Sequence, residues 1–271
     1  MMKMAKINVE SSFVFSTWNI DGLDDKNIKE RTMTVINDIQ SNKFDVIFLQ
    51  EVVSETYQLI EMHLSEEYHL SENKSESSDD QWYFTLILTK KSRLIVQNIC
   101  SIPFSNSTMG RDLTIVKAKF KNGEKVILLN THLESMKQFS KERMEQLRLA
   151  FEKVTNSDEN SSVIFAGDLN VRDSEVEKVG IPEGVEDIWE TLGAPKEYQF
   201  TWDLTINTNK KNLDKKKPRF RFDRVYLKRS ARNQIEPKSF YFCGTQKVKD
   251  WKCFPSDHFG IVCRFELKNN K

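Results

Sequence analysis

Cysteine is scarce and badly spaced for chemistry: Cys100, Cys243, Cys253 and Cys263 are the four present, the closest two lie ten residues apart, and no CxxC occurs. A zinc ribbon and a dithiol redox site are therefore not indicated, and reduced, mostly buried thiols are expected. No apolar run approaches the length of a membrane span, and the lysines of residues 1–7 are not followed by an apolar stretch of signal-peptide size. A soluble, intracellular protein with no membrane partner is the expectation. An excess of either charge is missing too, since 41 Lys and Arg face 40 Asp and Glu for a net charge of +1, which says nothing in favour of wholesale electrostatic attraction to nucleic acid or membrane. No repeat of roughly 20–50 residues is present, so a solenoid is not expected.

Charge is nevertheless uneven. Lys210, Lys211, Lys215, Lys216, Lys217, Arg219, Arg221 and Arg224 crowd one stretch, while residues 66–80 are acidic and rich in serine. The bland reading of the lysine run is a solvated loop or an import signal. The aromatic side chains Trp202, Phe220 and Phe222 interleave with it, and aromatic faces that accept bases beside cations that hold the backbone make a nucleic-acid wall the alternative.

Four short apolar runs, at residues 13–15, 46–49, 126–129 and 163–166, each end in a small polar cluster: Trp18-Asn19, Gln50-Glu51, Asn130-Thr131-His132 and Gly167-Asp168-Leu169-Asn170. The runs are rich in β-branched and aromatic residues and too brief for helices, and read as buried strands. A fifth cluster, Ser256-Asp257-His258, opens the run at 259–265. It can share an edge with the other four only if its strand runs antiparallel to theirs, so a mixed sheet is expected. Helical spacing places helices over residues 24–43, 54–64 and 140–155, with Met144, Leu147, Leu149, Phe151 and Val154 set among Lys, Glu and Arg on the last. Strands are expected at 82–89, 93–99, 113–120 and 124–130, the last two joined by the Lys121-Asn122-Gly123 turn. After Asp173 loops dominate until a strand at 222–227. The alternation points to an α/β sandwich whose halves faintly repeat, and clusters spanning residues 18–258 favour a single domain over residues 1–271.

Strand ends are where ligand-binding side chains gather in such folds. Glu51, after a strongly apolar run, would be costly there unless paired or bound to a cation. One Glu, supported by Asp257 or the Asn19 amide, suffices for Mg²⁺, which keeps waters and phosphate oxygens as its other ligands. Asp168 and Asn170, two apart and taken as facing one side of an extended segment, suit a proton acceptor for an attacking water and its positioner. Of only four histidines, His132 and His258 fall within the clusters; His258 as an imidazolium would stabilise a pentacovalent phosphorane-like transition state. His63 and His69 are read as surface residues. Arg111, after Gly110, and Arg172, two beyond Asn170, are candidates for forking onto phosphate.

In this order the strings TWN at 17–19, LQE at 49–51, GDLN at 167–170 and SDH at 256–258 resemble the endonuclease/exonuclease/phosphatase superfamily over nearly the whole chain. The longer strings TWNIDGL at 17–23, THLES at 131–135, GDLNVRD at 167–173, FTWD at 200–203 and RFRFDR at 219–224 are most similar to its 5′-tyrosyl-DNA phosphodiesterase branch. The resemblance implies a four-layer α/β sandwich, two packed mixed β-sheets flanked by helices. It implies hydrolysis of the bond between a DNA 5′-phosphate and the tyrosine of a trapped type II topoisomerase, at ends that carry a tyrosyl or peptide adduct and a single-stranded overhang. It makes Glu51 a Mg²⁺ ligand with Mn²⁺ as a substitute, Asp168 the catalytic acid or base, and Asn19, Asn170 and His258 phosphate and transition-state contacts. His132, Ser135 and Arg172 would touch substrate phosphate, and Trp202 with Phe220 or Phe222 would line the DNA path. Sparse carboxylates favour one cation over two. A monomer in the nucleus, with the cytoplasm as a second location, is expected. Relatives of this branch carry a small ubiquitin-binding domain ahead of the catalytic part, so an excised catalytic domain or a divergent chain is expected. The four short strings also serve abasic-site endonucleases, deadenylases, sphingomyelinase-like enzymes and inositol-phosphate phosphatases, and a non-catalytic binding module that kept the fold is the rival from another class.

Overall fold

The computed structural model describes residues 11–71, 83–210 and 217–268. The expected polar loop at 72–80, the Trp82 start of one strand, and Lys211, Lys215 and Lys216 lie outside the described residues.

Strands β1 (Ser12–Asn19), β2 (Val46–Val52), β3 (Tyr68–Leu70) and β4 (Phe84–Lys90) come first, with helices α1 (Ile28–Asn42) and α2 (Ser54–Leu64) between them. Strands β5 (Leu94–Pro103), β6 (Asp112–Phe120) and β7 (Lys125–His132) follow, then helix α3 (Ser140–Thr155), strand β8 (Ser161–Asp168) and helix α4 (Asp173–Val179). The chain ends with β9 (Val185–Asp187), helix α5 (Ile188–Thr191), β10 (Trp202–Asp203), β11 (Arg219–Phe220), β12 (Asp223–Lys228), β13 (Ile235–Cys243) and β14 (Gly260–Leu267).

One six-stranded sheet has the order β13-β14-β1-β2-β4-β3, the other β5-β6-β7-β8-β12-β9, and β10 with β11 makes a small ribbon. In each large sheet two central strands run parallel, β1 with β2 and β7 with β8, and each pair has antiparallel neighbours. Both sheets are mixed, and β14 is antiparallel to β1 as the Ser256-Asp257-His258 placement required. The sheets pack face to face through Phe13, Phe15, Val46, Phe48, Val126, Leu128, Ile164, Ala166 and Val225. Outside them, α1 and α2 cover the first sheet with Val35, Ile36, Ile39, Ile60 and Leu64, and α3 covers the second with Leu147, Ala150, Phe151 and Val154. The result is the four-layer sandwich, helices on sheet on sheet on helix.

Side chains alternate along a strand with period 2, and this parity decides where the polar strand ends point. Phe13 and Phe15 face the inter-sheet core, so Asn19 does too; Val46 and Phe48 carry Gln50 with them, Val126 and Leu128 carry Asn130 and His132, Ile164 and Ala166 carry Asp168. The candidate residues therefore converge in the seam between the sheets.

Several expectations need correction. Helix α1 begins at Ile28 rather than at residue 24, because Asp24 and Asp25 close turns, accepting from Lys26 and Ile28 backbone N–H groups. Helix α3 has the expected limits, but Leu149 and Met144 are not part of its buried face; Arg143 and Gln146 are buried instead. Residues 173–222 are less irregular than expected, since α4, β9 and α5 are built there, each too short to show a period. Of the four thiols, Cys243 and Cys263 are buried, Cys253 is half-buried and Cys100 is exposed on the edge strand β5. His63 and His69 are exposed. Among the described residues no helix is long and apolar enough to cross a membrane.

Candidate active site

Two glycines let the strand ends come together. Gly167 has φ +142°, and a Cβ there would lie 2.0 Å from the Thr131 carbonyl oxygen; at Gly22 it would lie 2.2 Å from that of Glu51. Neither position tolerates a side chain. At or just beyond the strand ends, Asp21, Glu51 and Asn170 all take left-handed backbone conformations (φ 51°, 54° and 53°) that non-glycine residues adopt at a cost. For Asn170 this corrects the reading of Asp168 and Asn170 as side by side on an extended segment: the chain turns between them. Asn170 instead donates its backbone N–H to Asp168 Oδ1 at 3.0 Å and its side-chain amide to the Leu133 carbonyl at 3.3 Å.

Asp168 is the hub. Its Oδ2 accepts from Asn19 Nδ2 at 3.0 Å and lies 3.2 Å from His132 Nε2 and 3.7 Å from His258 Nε2. Burial alone would raise its pKa, but the His132 and His258 side chains and the Asn19 amide hold it below the usual carboxylate range. Asn19 Nδ2 also donates to Glu51 Oε1 at 3.0 Å, and Asn19 Oδ1 accepts from the Asp21 N–H at 2.9 Å. One buried amide thus ties together a carboxylate from each sheet.

Each histidine is oriented from behind. Arg111, 5% exposed, donates from Nη1 to His132 Nδ1 at 2.6 Å. A guanidinium cannot accept, so His132 carries its proton on Nε2, facing Asp168. The same guanidinium lies 4.8 Å from the centre of the Tyr83 ring. His258 Nδ1 meets Asp223 Oδ2 at 2.8 Å. Burial works against a charged His258, but the carboxylates of Asp223, Asp168 and Asp257 outweigh it and hold the imidazole pKa well above its ordinary value. The Ser256-Asp257-His258 loop is pinned to β1 by Ser256 Oγ donating to the Asn19 carbonyl at 2.6 Å and by Trp18 Nε1 donating to the His258 carbonyl at 3.0 Å.

Ser135 sits half-buried on the same rim with its hydroxyl 3.2 Å from Met109 Sδ, and Arg143, donating to the carbonyls of Glu134 (2.8 Å) and Met136 (2.9 Å) on either side, fixes that turn. Across the site stands an aromatic wall. Phe220 and Phe222 stack at 4.8 Å, Trp202 lies 6.0 and 5.8 Å from them, and Phe222 reaches within 6.3 Å of the His258 ring. The Arg172 guanidinium caps Phe220 and Phe222 at 5.5 and 5.2 Å and donates to the Asn170 carbonyl at 2.8 Å. Trp202 Nε1 donates to Asp257 Oδ2 at 3.0 Å, joining the wall to the carboxylates. All thirteen candidate residues, Asn19, Glu51, Arg111, His132, Ser135, Asp168, Asn170, Arg172, Trp202, Phe220, Phe222, Asp257 and His258, thus line or directly support one continuous site.

Glu51, Asp257 and Asp21 concentrate negative charge at one end. Burial, then the charges of Asp257 and Glu51, push the Asp21 pKa up to about 8, with Lys210 opposing. Crowded carboxylates, all hard oxygen donors, fit a divalent cation. Asp168, Asp223 and His258 also place ligand-type atoms within 4.8 Å of one another. His258 Nδ1 is already committed to Asp223 there, so this second group is suited to holding a proton.

The sequence reading missed Asp223 and Asp21. Asp223 opens β12 with Val225 and Leu227 inward, the mirror image of the pattern that ends β8 at Asp168, and pairs with Asp168 across the sheet. Asp21 follows Asn19 by two with no such cue. The basic stretch is corrected as well. Arg221 and Arg224 are buried against Asp187 and Asp173, Arg219 pairs with Asp203 at 2.7 Å, and Lys210 with Asp21 at 2.9 Å. In a mixed-charge sequence these cations were already matched to carboxylates that the fold brings from a distance.

The fold and the site define a phosphoesterase class: the chain belongs to the Endonuclease/Exonuclease/phosphatase family, whose model matches residues 16–258. Within that family its homologues are tyrosyl-DNA phosphodiesterase 2 proteins. That of Xenopus tropicalis is 39% identical over 265 residues, covering 95% of this chain and 67% of the relative, and that of Homo sapiens is 38% identical over 259 residues, covering 95% and 69%. Among solved structures, D. rerio TDP2 complexed with single strand DNA product superposes with TM-score 0.87 at 36% identity, covering 94% of this chain and 99% of that one. Truncated Caenorhabditis elegans TDP2 gives 0.82 at 34%, covering 94% and 98%.

Proposed function

We propose that this chain is a Mg²⁺-dependent phosphodiesterase that hydrolyses 5′-phosphotyrosyl bonds at DNA ends, freeing them from trapped topoisomerase II in DNA repair. The observation that carries this reading is the ionised Asp168, enclosed by Asn19, His132 and His258 directly beside the Trp202, Phe220 and Phe222 wall. Asp168 takes the proton of the attacking water. Its lowered pKa keeps it ionised, and the Asn19 amide and Asn170 N–H fix the carboxylate in place. His258, held protonated by Asp223, donates from Nε2 to the phosphoryl oxygens as charge builds on them. His132, with its proton on Nε2, and the half-buried Arg172 and Ser135 face the same space.

Glu51 and Asp257, with Asp21 behind them, would hold the cation, which supplies Lewis-acid polarisation of a phosphoryl oxygen when bound. A tyrosine leaves as a phenolate of pKa about 10, so little protonation of the leaving group is required. The wall gives successive bases a stacking surface, which suits a single-stranded end. Such a substrate favours a nuclear location, and we propose that the protein acts there as a monomer.

The test is turnover of a 5′-phosphotyrosyl oligonucleotide against an abasic duplex, with and without EDTA. Mg²⁺-restored release of tyrosine from the first is expected; preferential cleavage of the abasic duplex overturns the substrate assignment.

A further inference from the structure

The acidic end of the site already contains a cation. Lys210 reaches in from the segment between β10 and β11 and places Nζ 2.9 Å from Asp21 Oδ1 and 3.4 Å from Asp24 Oδ2. Asp21 is 3% exposed, and its other oxygen, Oδ2, has no hydrogen-bond partner, with only Arg31 Nη1 at 3.9 Å. A buried carboxylate in that position needs a charge partner, and the Lys210 ammonium is the one that hydrogen-bonds it. The lysine is not a loose surface group. Asn207 Nδ2 donates to the Ser256 carbonyl at 2.8 Å, and Asn209 exchanges hydrogen bonds with the Phe254 backbone at 3.0 and 2.8 Å. These fasten the Lys210 segment to the loop that bears Asp257 and His258. On the other side Arg31, buried, gathers the carbonyls of Ile20, Asp21, Asp24 and Pro255 and fixes the turn that presents Asp21 and Asp24.

We infer that Lys210 is a resident counter-cation of the metal-holding carboxylates: its ammonium neutralises the Asp21 side of the cluster, weakens the attraction for a divalent ion at Glu51 and Asp257, and fills the place of a second one. Four carboxylates, Asp21, Asp24, Glu51 and Asp257, would otherwise present a concentration of charge able to take two divalent cations. With Lys210 seated between two of them, the remaining pair faces the phosphate and suits one. Lys210 acts through Asp21 and is a positioning residue, with no contact to the reacting atoms.

The inference rests on Glu51 and Asp257 as the divalent-ion ligands, and the experiment separates the two claims. Mn²⁺ binding is measured by calorimetry and by electron paramagnetic resonance on the parent, Lys210→Met, Lys210→Arg and Glu51→Gln proteins, without substrate. Removing one nearby positive charge is expected to tighten Mn²⁺ binding about tenfold, or to add a second Mn²⁺ per chain, in Lys210→Met, while Lys210→Arg stays at the parental value. A merely structural lysine predicts the reverse, since loosening the segment weakens binding. Unchanged or weaker Mn²⁺ binding in a folded Lys210→Met protein overturns the inference; unchanged binding in Glu51→Gln overturns the ligand assignment instead. If Lys210→Met does not fold, Lys210→Gln keeps a hydrogen-bond donor for Asp21 without the charge and decides the question by the same reading.

Discussion

Asp223 Oδ2 and His258 Nδ1, thirty-five residues apart in the chain, meet at 2.8 Å beneath the active site. The carboxylate raises the histidine's pKa and, by engaging Nδ1, leaves the ring's other nitrogen, Nε2–H, to donate toward Asp168 and the site. In Asp223→Asn both effects go. The kcat is expected to fall by about 10²- to 10⁴-fold, as when a histidine loses its orienting carboxylate elsewhere. The pH profile adds a sign. His258 is charged below its raised folded pKa, so the parent keeps its activity through the neutral range and loses it only as pH rises past that value; the variant loses activity as pH rises through the ordinary histidine range. A pH–rate profile with an unmoved alkaline limb would remove His258 from the proton-donor role.

Asp168→Asn should abolish hydrolysis, with kcat lowered by at least about 10³-fold. Because the parent Asp168 is held below the ordinary carboxylate range, its protonation does not set the acid limb of the parent above pH ~4. Because the folded-state pKa is depressed, the ionised carboxylate stabilises the fold above the ordinary Asp range, so the melting temperature of the variant, followed by circular dichroism, should fall at neutral pH, with the gap to the parent narrowing as pH drops below about 4. A variant that is unfolded at neutral pH, and not folded and inactive, would instead make Asp168 structural.

Phe220→Ala removes one face of the aromatic wall and part of the surface that Arg172 covers. Loss of a stacked base costs about 1–3 kcal/mol, so KM for a 5′-tyrosyl oligonucleotide should rise roughly ten- to a hundredfold. Methyl p-nitrophenyl phosphate, a diester with no base to stack, should be turned over unchanged. Trp202→Phe separates stacking from the indole donation to Asp257: it keeps a ring but loses the bond at 3.0 Å. It should weaken Mn²⁺ binding more than oligonucleotide binding, and equal losses would mean the wall acts as one unit.

Gln50 and Asn130 look like active-site residues in the sequence and are braces in the structure. Gln50 Nε2 donates across the inter-sheet seam to Asn130 Oδ1 at 2.8 Å, and Asn130 Nδ2 donates to the Leu49 and Leu86 carbonyls at 3.1 Å each. Asn130→Ala leaves buried partners unsatisfied, and a loss of about 2–4 kcal/mol in denaturant-derived stability is expected. The kcat of the fraction that remains folded should be nearly parental. A selective loss of kcat with stability intact would make Asn130 a catalytic residue instead.

The sheet strands were legible because each apolar run keeps period 2 up to the polar residue that ends it, so the parity that buries Phe13 and Phe15 also aims Asn19 inward. The same reasoning reaches His132 and Asp168. It stops at Glu51, where a left-handed residue breaks the alternation and the cost of a carboxylate after an apolar run suggested the role instead. It fails for Asp223, whose strand begins at the site, and for Arg111, whose partner His132 lies twenty-one residues away. The pairing of Arg221 and Arg224 with Asp187 and Asp173 was hidden for a related reason: local sequence shows a charge run, and distant carboxylates are visible only after folding. Substrate identity was carried by longer strings and not by any single geometric feature.

Chain order gives the β13-β14-β1 end of the first sheet an unusual place in biosynthesis. The whole second sheet is drawn from residues 94–228, between the early and late strands of the first. A ribosome can therefore release that sheet complete while β1 still waits for β14, which is made last and joins it along six registered pairs. Asp257 and His258 arrive with β14. A nascent chain thus makes Asp168 well before His258, and the two side chains meet at 3.7 Å only once β14 has paired with β1.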